Sequence, residues 1–249
     1  MEAHVYEAMA RLEGWYWWYA GLRRLVCRML RSHLDRSQSF TILDAGCGTG
    51  GGMTALHHAF PASLVLGVDL SPNALHYAAG DHAGRIVRGS VNALPYRDRA
   101  FDVVVSTDVL YIRGVDDALA SREAYRVLRP GGLLAVNVPA FEWLAGEHDA
   151  AVQTRHRYTR SEVLALLTEA GFTVKRVMYW NAVLFPVAWV VRRLLRPNAR
   201  VAHPRSDLRP LPWMINRCLV QILAFDTWLC SKIGVAFGTS AFALMAKPS

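Results

Sequence analysis

Two acidic residues end neighbouring apolar runs of the sequence, and the first is followed by a glycine-rich turn. The first run continues into LeuAspAlaGlyCysGlyThrGly at residues 43–50, and the second, at 64–70, carries Asp69 near its end. Glycines in such a turn let a ligand approach bare backbone, and an acid at the tip of the second strand can hydrogen-bond both hydroxyls of a ribose. Asp44 and Asp69 together therefore predict a nucleoside-containing ligand across the tips of two adjacent strands.

The position of the first acid distinguishes between nucleoside ligands. A dinucleotide needs its pyrophosphate at the start of the first helix, usually over glycines spaced GxGxxG. This chain reads GlyCysGlyThrGlyGlyGly, with an acid shortly before the first glycine. A carboxylate at Asp44 would repel a pyrophosphate but suits the ammonium group of an amino acid. The pattern therefore favours S-adenosylmethionine over a nicotinamide or flavin cofactor.

Apolar runs that alternate with helical patterns must position these acids. The alternation predicts an α/β, Rossmann-like fold with a mostly parallel sheet and helices on both faces. The predicted strands are 41–45, 64–70, 85–89, 101–106, 133–138, 172–180 and 240–246. The predicted helices between them are 53–59, 72–79, 116–128 and 161–170.

The sequence predicts a single domain over 1–249. Its parts are an N-terminal helical cap at 1–36 with one helix over 5–35, a cofactor-binding core at 40–180, a helical insertion at 181–238 with helices at 182–196 and 212–233, and the last strand at 239–249. A hydrophobic content of 53% with 19% charged residues excludes a disordered chain. None of the four cysteines forms a CxxC pair, so neither a disulfide framework nor a metal site is predicted.

Five motifs, in the same order and spacing, resemble the class I S-adenosylmethionine (SAM)-dependent methyltransferases of the bacterial type 11 group, which act on small molecules. They are LeuAspAlaGlyCysGlyThrGly, GlyValAspLeuSerPro (67–72), AsnAlaLeuProTyr (92–96), PheAspValValValSer (101–106) and ArgValLeuArgProGlyGly (126–132). The resemblance covers residues 40–180. It implies a seven-stranded sheet whose last strand is antiparallel, and it implies SAM as the cofactor.

The resemblance also implies roles for individual residues. Asp44 would help to hold the SAM ammonium group, Asp69 would bind the ribose and Leu70 would flank the adenine. The cofactor-binding residues that it implies are Asp44, Gly46, Cys47, Gly48, Asp69, Leu70, Ser90, Val91, Asn92 and Thr107. The chain departs from the family at Ser90, where an acid often binds the adenine amino group, and at 109–112, where ValLeuTyrIle replaces ValLeu-Glu-His.

The 22-residue connection between Val138 and Ser161 is the predicted source of a catalytic base. Connections of that length in a compact domain are usually functional or disordered. A hydroxyl or amine acceptor must lose a proton as it receives the methyl group, and histidine is well suited to take it. The candidate catalytic residues are His148 and His156, with Asp149 as an orienting partner, and Tyr158. Alternatively, both histidines only close the loop through hydrogen bonds.

The aromatic run at 15–19 lies in the predicted N-terminal helix and suggests a lid over the ligand. The candidate residues of the lid and substrate pocket are Trp15, Trp18, Tyr19 and Tyr111. A helix that only caps the edge of the domain is the alternative.

The late segment at 182–238 holds eight Arg or Lys against two Asp, within a net charge of +8 for the chain. Its apolar residues suit a core or homodimer contact, a cover for the substrate pocket, or contact with an anionic membrane surface through 182–212. The N-terminal sequence lacks the pattern of a secretory signal, and the apolar run at 184–191 is too short to span a bilayer, so a cytoplasmic location is expected.

The function predicted from these patterns is SAM-dependent methylation of a small, largely apolar metabolite, such as a secondary metabolite, lipid or glycoside. O-methylation with a histidine base is favoured. An RNA or protein methyltransferase is one alternative, but no AsnProProTyr-like motif follows the fourth strand, so no nucleic-acid partner is expected. A SAM-binding protein that uses the cofactor without transferring its methyl group is the other.

Overall fold

A single mixed sheet organises the part of the chain that the computed structural model describes, which is residues 3–192 and 210–249. Its strands are β1 (Thr41–Ala45), β2 (Leu64–Asp69), β3 (Ile86–Arg88), β4 (Phe101–Thr107), β5 (Leu128–Pro139), β6 (Thr173–Trp180) and β7 (Ser240–Ala246). They lie in the order β3-β2-β1-β4-β5-β7-β6. Because β7 runs antiparallel to both of its neighbours and the other pairs are parallel, the predicted seven-stranded fold is confirmed.

Helices cover both faces of this sheet, as predicted. They are α1 (Ala3–Leu12), α2 (Trp17–Arg31), α3 (Gly51–Ala59), α4 (Pro72–His82), α5 (Asp117–Val127), α6 (Glu147–Ala151), α7 (Arg160–Glu169), α8 (Phe185–Val190) and α9 (Trp213–Lys232). One buried cluster on a single face of the sheet includes Leu25, Met53 and Leu223 from α2, α3 and α9. A second cluster includes Val127 and Leu167 from α5 and α7. None of the helices in the described ranges is long and apolar enough to cross a bilayer.

The N-terminal helix predicted over 5–35 is wrong as one element, because the chain breaks between α1 and α2. Tyr16 adopts an extended conformation and is buried. The Trp17 N–H donates to the Asn216 side chain on α9 at 2.9 Å, instead of continuing a helical hydrogen bond to residue 13. A contact with a residue almost 200 positions away therefore sets the start of α2.

The insertion helix predicted over 182–196 also differs from the structure, which begins α8 at Phe185. The backbone N–H groups of residues 181, 182 and 183 donate to the buried carboxylate of Asp226, and this fixes the segment before the helix. Residues 193–209 lie outside the described ranges, so the end of the predicted helix and most of the basic loop lie outside them too.

The start of β5 also differs from the sequence prediction. Strand β5 begins at Leu128 rather than 133, with a shift of register against β4 between Phe101 and Val103. The long connection after β5 is not irregular throughout, because it contains a 3₁₀ turn at Glu142–Leu144 and the short helix α6.

Candidate cofactor and acceptor site

A cavity of about 430 Å³ lies at the carboxyl ends of β1, β2 and β4. This is the edge of an open α/β sheet at which ligands bind. Helices α1 and α2 supply the facing wall through Tyr6, Met9, Tyr19 and Arg23. Of the predicted cofactor residues, those that line the cavity are Asp44, Gly46, Cys47, Gly48, Asp69, Leu70, Ser90, Val91 and Thr107.

Asn92 is the predicted cofactor residue that does not line the cavity. Its side-chain amide donates to the Gly114 carbonyl at 3.0 Å, and its oxygen accepts from the Asp116 N–H at 3.1 Å. Asn92 therefore ties together two loops beside the cavity.

The glycine turn after β1 brings backbone close to the cavity. Gly46 and Gly48 have φ values of 88° and 54°, in the left-handed region that favours glycine. A Cβ atom on Gly46 would collide with Val109, and one on Gly52 would collide with the Asp44 carboxylate. A side chain at position 46 or 52 would have to displace a neighbour, so only bare backbone fits at these two positions.

Asp69 at the end of β2 is fixed by backbone donors on both sides. Its two carboxylate oxygens accept from the N–H groups of Gly48 and Ser71, each at 2.9 Å. Burial raises the pKa of Asp69, although these N–H groups act in the opposite direction. Because a carboxylate has about four lone-pair sites, about two remain for a ligand with paired hydroxyls.

Asp44 is buried at the end of β1, beneath the start of α3. Burial, together with the nearby charges of Asp69 and Glu13, raises its pKa to about 7. A cationic ligand at this position would favour the ionised carboxylate and lower that pKa.

Glu13 and Arg23 complete this end of the cavity, and sequence reasoning missed both. The Glu13 carboxylate accepts from the Gly51 N–H at 3.2 Å, and burial raises its pKa. Arg23 donates through Nη1 to the Gly51 carbonyl at 2.9 Å and through Nε to the Tyr19 carbonyl at 3.1 Å. Its Nη2 atom is buried without a hydrogen-bond partner in the structure. An unpaired guanidinium nitrogen near the carboxylates of Glu13 and Asp44 is an arrangement that an amino-acid ligand would complete.

Asp108, directly after β4, is another cavity residue that sequence reasoning missed. It has a φ of 60°, which is uncommon for a residue other than glycine and recurs at functional sites. Burial raises its pKa to about 6, although hydrogen bonds from the Asn137 and Trp18 side chains act to lower it. Ile112 lines the cavity nearby, at the position where the resemblance expected a histidine.

The four predicted catalytic residues are absent from the described cavity lining. Asp149 forms an ion pair with Arg157 at 2.7 Å and caps the start of α6 by accepting from the Gly146 N–H. His148 lies on α6 and is partly exposed. The role of His148 and His156 as a base stays a prediction, because the structure places neither against the cavity.

His156 and Tyr158 have partners of their own on the far side of that loop. His156 lies between Glu142 and Glu162, at 3.6 and 3.4 Å. The Tyr158 hydroxyl donates to the Asp117 carboxylate, which also pairs with Arg155 at 2.8 Å.

The aromatic run divides between structural and cavity positions. Tyr19 lines the cavity, and burial raises the pKa of its phenol. Trp18 stacks on Trp180, with ring centroids 5.1 Å apart. Trp15 is exposed and Tyr111 is buried, and neither belongs to the described lining. Tyr19 is therefore the member of the predicted lid that a ligand can reach from the described cavity.

Comparisons with known proteins agree with this geometry. Residues 43–136 match the family described as "Methyltransferase domain". The chain is 34% identical over 135 residues to a malonyl-[acyl-carrier protein] O-methyltransferase of Dechloromonas aromatica, covering 54% of this chain and 50% of the relative. It is 34% identical over 94 residues to a fatty-acid O-methyltransferase of Mycolicibacterium smegmatis, covering 36% and 34% of the two chains. The chain thus spans about half the length of the first of these curated relatives.

The fold also matches solved structures. Phosphoethanolamine N-methyltransferase 2 of Haemonchus contortus, solved with S-adenosyl-L-methionine, superimposes with a TM-score of 0.58 at 19% identity. The match covers 91% of this chain and 52% of the other. A likeness at this identity establishes the shared fold.

Proposed function

Because the chain carries a class I methyltransferase domain whose cofactor is SAM, we propose that it transfers a methyl group to an oxygen atom of a small, largely apolar acceptor. The observation that carries this proposal is the charge pattern of the cavity. Four carboxylates (Glu13, Asp44, Asp69 and Asp108) line it against two arginines (Arg23 and Arg113). SAM carries a sulfonium and an ammonium against one carboxylate, so its net positive charge fits a cavity with an excess of acids.

Each charged group at the Arg23 end of the cavity has a role in holding the amino-acid part of SAM. Asp44 and Glu13 would pair with the ammonium group. The free Nη2 of Arg23 would donate to the carboxylate, since a buried donor without a partner is costly. Asp69, held by two N–H groups, would accept from the ribose hydroxyls.

The adenine side of the site is proposed from lining residues alone. Leu70 and Val91 would contact the two sides of the base, and Ser90 lies beside them in the lining. No carboxylate occupies the position of Ser90, so adenine recognition here would depend more on apolar contact than on a charged acceptor.

The relatives and the cavity wall support an acceptor with an apolar body. Leu22, Val26 and Leu56 line the cavity with apolar side chains. The names of the two curated relatives describe a malonyl group and a fatty acid as methyl acceptors on oxygen. We infer that this chain also methylates a carboxylic acid, to give a methyl ester.

A carboxylate acceptor needs no catalytic base, because it is already ionised near neutral pH. SAM supplies an activated methyl group, and the residues of this chain orient the acceptor and exclude water. This accounts for a cavity whose described lining contains neither of the predicted histidines.

A hydroxyl acceptor is a second candidate, favoured by Asp108. A carboxylate with a pKa of about 6 that faces the cavity is suited to take a proton near neutral pH. In that case Asp108, rather than His148 or His156, is the base.

The experiment is an assay of the purified chain with SAM and a panel of acceptors. The panel contains fatty acids, malonyl thioesters, apolar alcohols and RNA, and the products are S-adenosylhomocysteine and the methylated acceptor. We expect methyl esters, with the Asp69→Ala variant as a control whose weakened cofactor binding should lower turnover at limiting SAM. Methylation of RNA alone, or conversion of an acceptor while SAM stays intact, would refute the proposal. The Asp108→Asn variant separates the two acceptor classes, because it should abolish methylation of alcohols and spare that of acids.

A further inference from the structure

The outward face of α9 carries large apolar side chains where a surface helix normally carries polar ones. Met214, Phe225 and Trp228 are 71%, 54% and 47% exposed. They lie on one stripe of the helix, in which successive members are three or four residues apart. The stripe consists of Met214, Cys218, Gln221, Phe225, Trp228 and Lys232. A helix face of this composition is typical of contact with another surface.

The opposite face of α9 is held against the domain, so the stripe cannot turn inward. Asn216 accepts from the Trp17 N–H and donates to the Trp15 carbonyl, each at 2.9 Å. Leu223 packs so closely on α2 that a Cβ atom on Gly21 would collide with it. Asp226 accepts from the backbone before α8. These contacts extend from residue 216 to residue 226 of α9 and fix its rotation.

The exposed charges of α9 are positive, with Arg217 beside the stripe and Lys232 at its end. Arg217 and Lys232 are exposed, and the guanidinium of Arg217 lies 5.5 Å from the centre of the Trp213 ring. The only acid in the α9 sequence, Asp226, is fully buried. Apolar and aromatic side chains with flanking cations suit the interface of a bilayer that contains anionic lipids.

We propose that α9 docks the chain on the surface of an anionic lipid bilayer, with the stripe from Met214 to Lys232 in the interface. Exposed Trp213 and Ile215 in the first turn extend the apolar surface at one end. Helix α9 lies in the bilayer plane and does not cross it.

A second copy of the chain fits the same face less well. In a twofold interface the stripe would pack against itself, and an antiparallel arrangement would bring the Arg217 end of one helix to the Lys232 end of the other. Like charges would then meet without an exposed acid on α9 to compensate them. Phospholipid headgroups of negative charge supply the missing partner.

Flotation of the full chain with lipid vesicles tests the proposal. Vesicles of phosphatidylcholine alone are compared with vesicles that also contain phosphatidylglycerol, at low and at high salt. We expect binding only to the anionic vesicles, and weaker binding at high salt. The Phe225→Ser/Trp228→Ser and Arg217→Glu/Lys232→Glu double variants should each lower the partition coefficient by about tenfold or more.

The matched control is Leu164→Ser, which removes a partly exposed apolar side chain from α7 on the other face of the sheet. It should bind vesicles like the unaltered chain. Calorimetric titration with SAM verifies that each variant is folded. The proposal is overturned by equal binding to neutral vesicles, by no binding at all, or by light scattering that shows a dimer dispersed by Phe225→Ser/Trp228→Ser.

Discussion

The Arg23→Met variant tests the proposed contact between α2 and the carboxylate of SAM. Methionine keeps much of the length of the arginine side chain but removes the guanidinium. The variant loses the two hydrogen bonds that Arg23 donates to the Gly51 and Tyr19 carbonyls, at 2.9 and 3.1 Å. It also loses Nη2, the buried donor that is proposed to bind a carboxylate oxygen of SAM. A hydrogen bond between charged partners contributes about 1.5–3 kcal/mol, which corresponds to a loss of about 10–150-fold in affinity for SAM.

The assay is isothermal titration of the variant with two ligands, SAM and its decarboxylated analogue. If Arg23 binds the carboxylate, the variant should lose affinity for SAM but bind the analogue about as well as the unaltered chain does. Arg24→Met is the matched control, since Arg24 is the next residue of α2 and is exposed. Equal losses of affinity for both ligands would show that Arg23 only supports the turn at Gly51, and the proposed contact would be wrong.

Three further predictions concern the same domain. Asp69→Ala should weaken SAM binding by about 1–3 kcal/mol, because it removes the proposed acceptor for the ribose hydroxyls. Asp81→Ala, on the surface of α4, is the control that should leave SAM binding unchanged, and calorimetry measures both affinities. Because the pKa of Asp44 is raised to about 7 in the folded chain, the free chain should lose stability as the pH rises from about 4 to about 7. SAM should bind the ionised form of Asp44, so its affinity should rise by up to about tenfold per pH unit over the upper part of that range. Thermal melts with and without SAM measure both effects, and an affinity independent of pH would contradict the pairing of Asp44 with the ammonium group. His156→Ala should change the turnover of an acid acceptor by less than about threefold. A loss of about 10²–10⁴-fold would show instead that His156 acts as a general base.

The positions of the strands along the chain and the glycine turn could be predicted because their signals are local. The order of the strands in the sheet was not predicted from the sequence. Each apolar run ends at a polar or glycine residue, and the predicted bounds of β1 and β7 are those observed. The predicted start of α4 at residue 72 is also observed, because the Ser71 side chain caps the helix and Pro72 suits its first position. Such signals depend on neighbours within a few positions, so a sequence carries them without any knowledge of packing.

The other half of the cavity depends on contacts between distant residues. Glu13 and Arg23 reach the site because α1 and α2 pack across the start of α3 and bind Gly51 from both sides. Nothing in the local sequence marks these two among the charged residues of the N-terminal region. Asp108 was missed for a different reason, since its left-handed conformation and its contact with Asn137 come from the geometry of neighbouring strands.

The connection after β5, from which the predicted catalytic residues were chosen by its length, also carries a structural ion pair. The connection after β5 is long, but it is folded around the buried pair of Asp149 and Arg157. Burial opposes ionisation of Asp149, yet the Arg157 guanidinium and the Gly146 N–H outweigh it and hold its pKa below the usual value. The Asp149 carboxylate accepts from Arg157 and from the Gly146 N–H, while its role beside a histidine base stays a prediction.

Helix α2 connects the cofactor cavity with the outer surface of the insertion. One side of α2 lines the cavity through Tyr19 and Arg23, and Gly21 on the same helix contacts Leu223 of α9. A bilayer that holds the outer stripe of α9 would therefore lie two helix layers from the Arg23 end of the cavity. Because the start of α2 is fixed by Asn216 of α9, any displacement of α9 on docking would act on the wall that carries Arg23. Both the proposed docking and the proposed cofactor contact therefore depend on the position of α2. If docking moves α2, the affinity for SAM measured with anionic vesicles should differ from that measured without them.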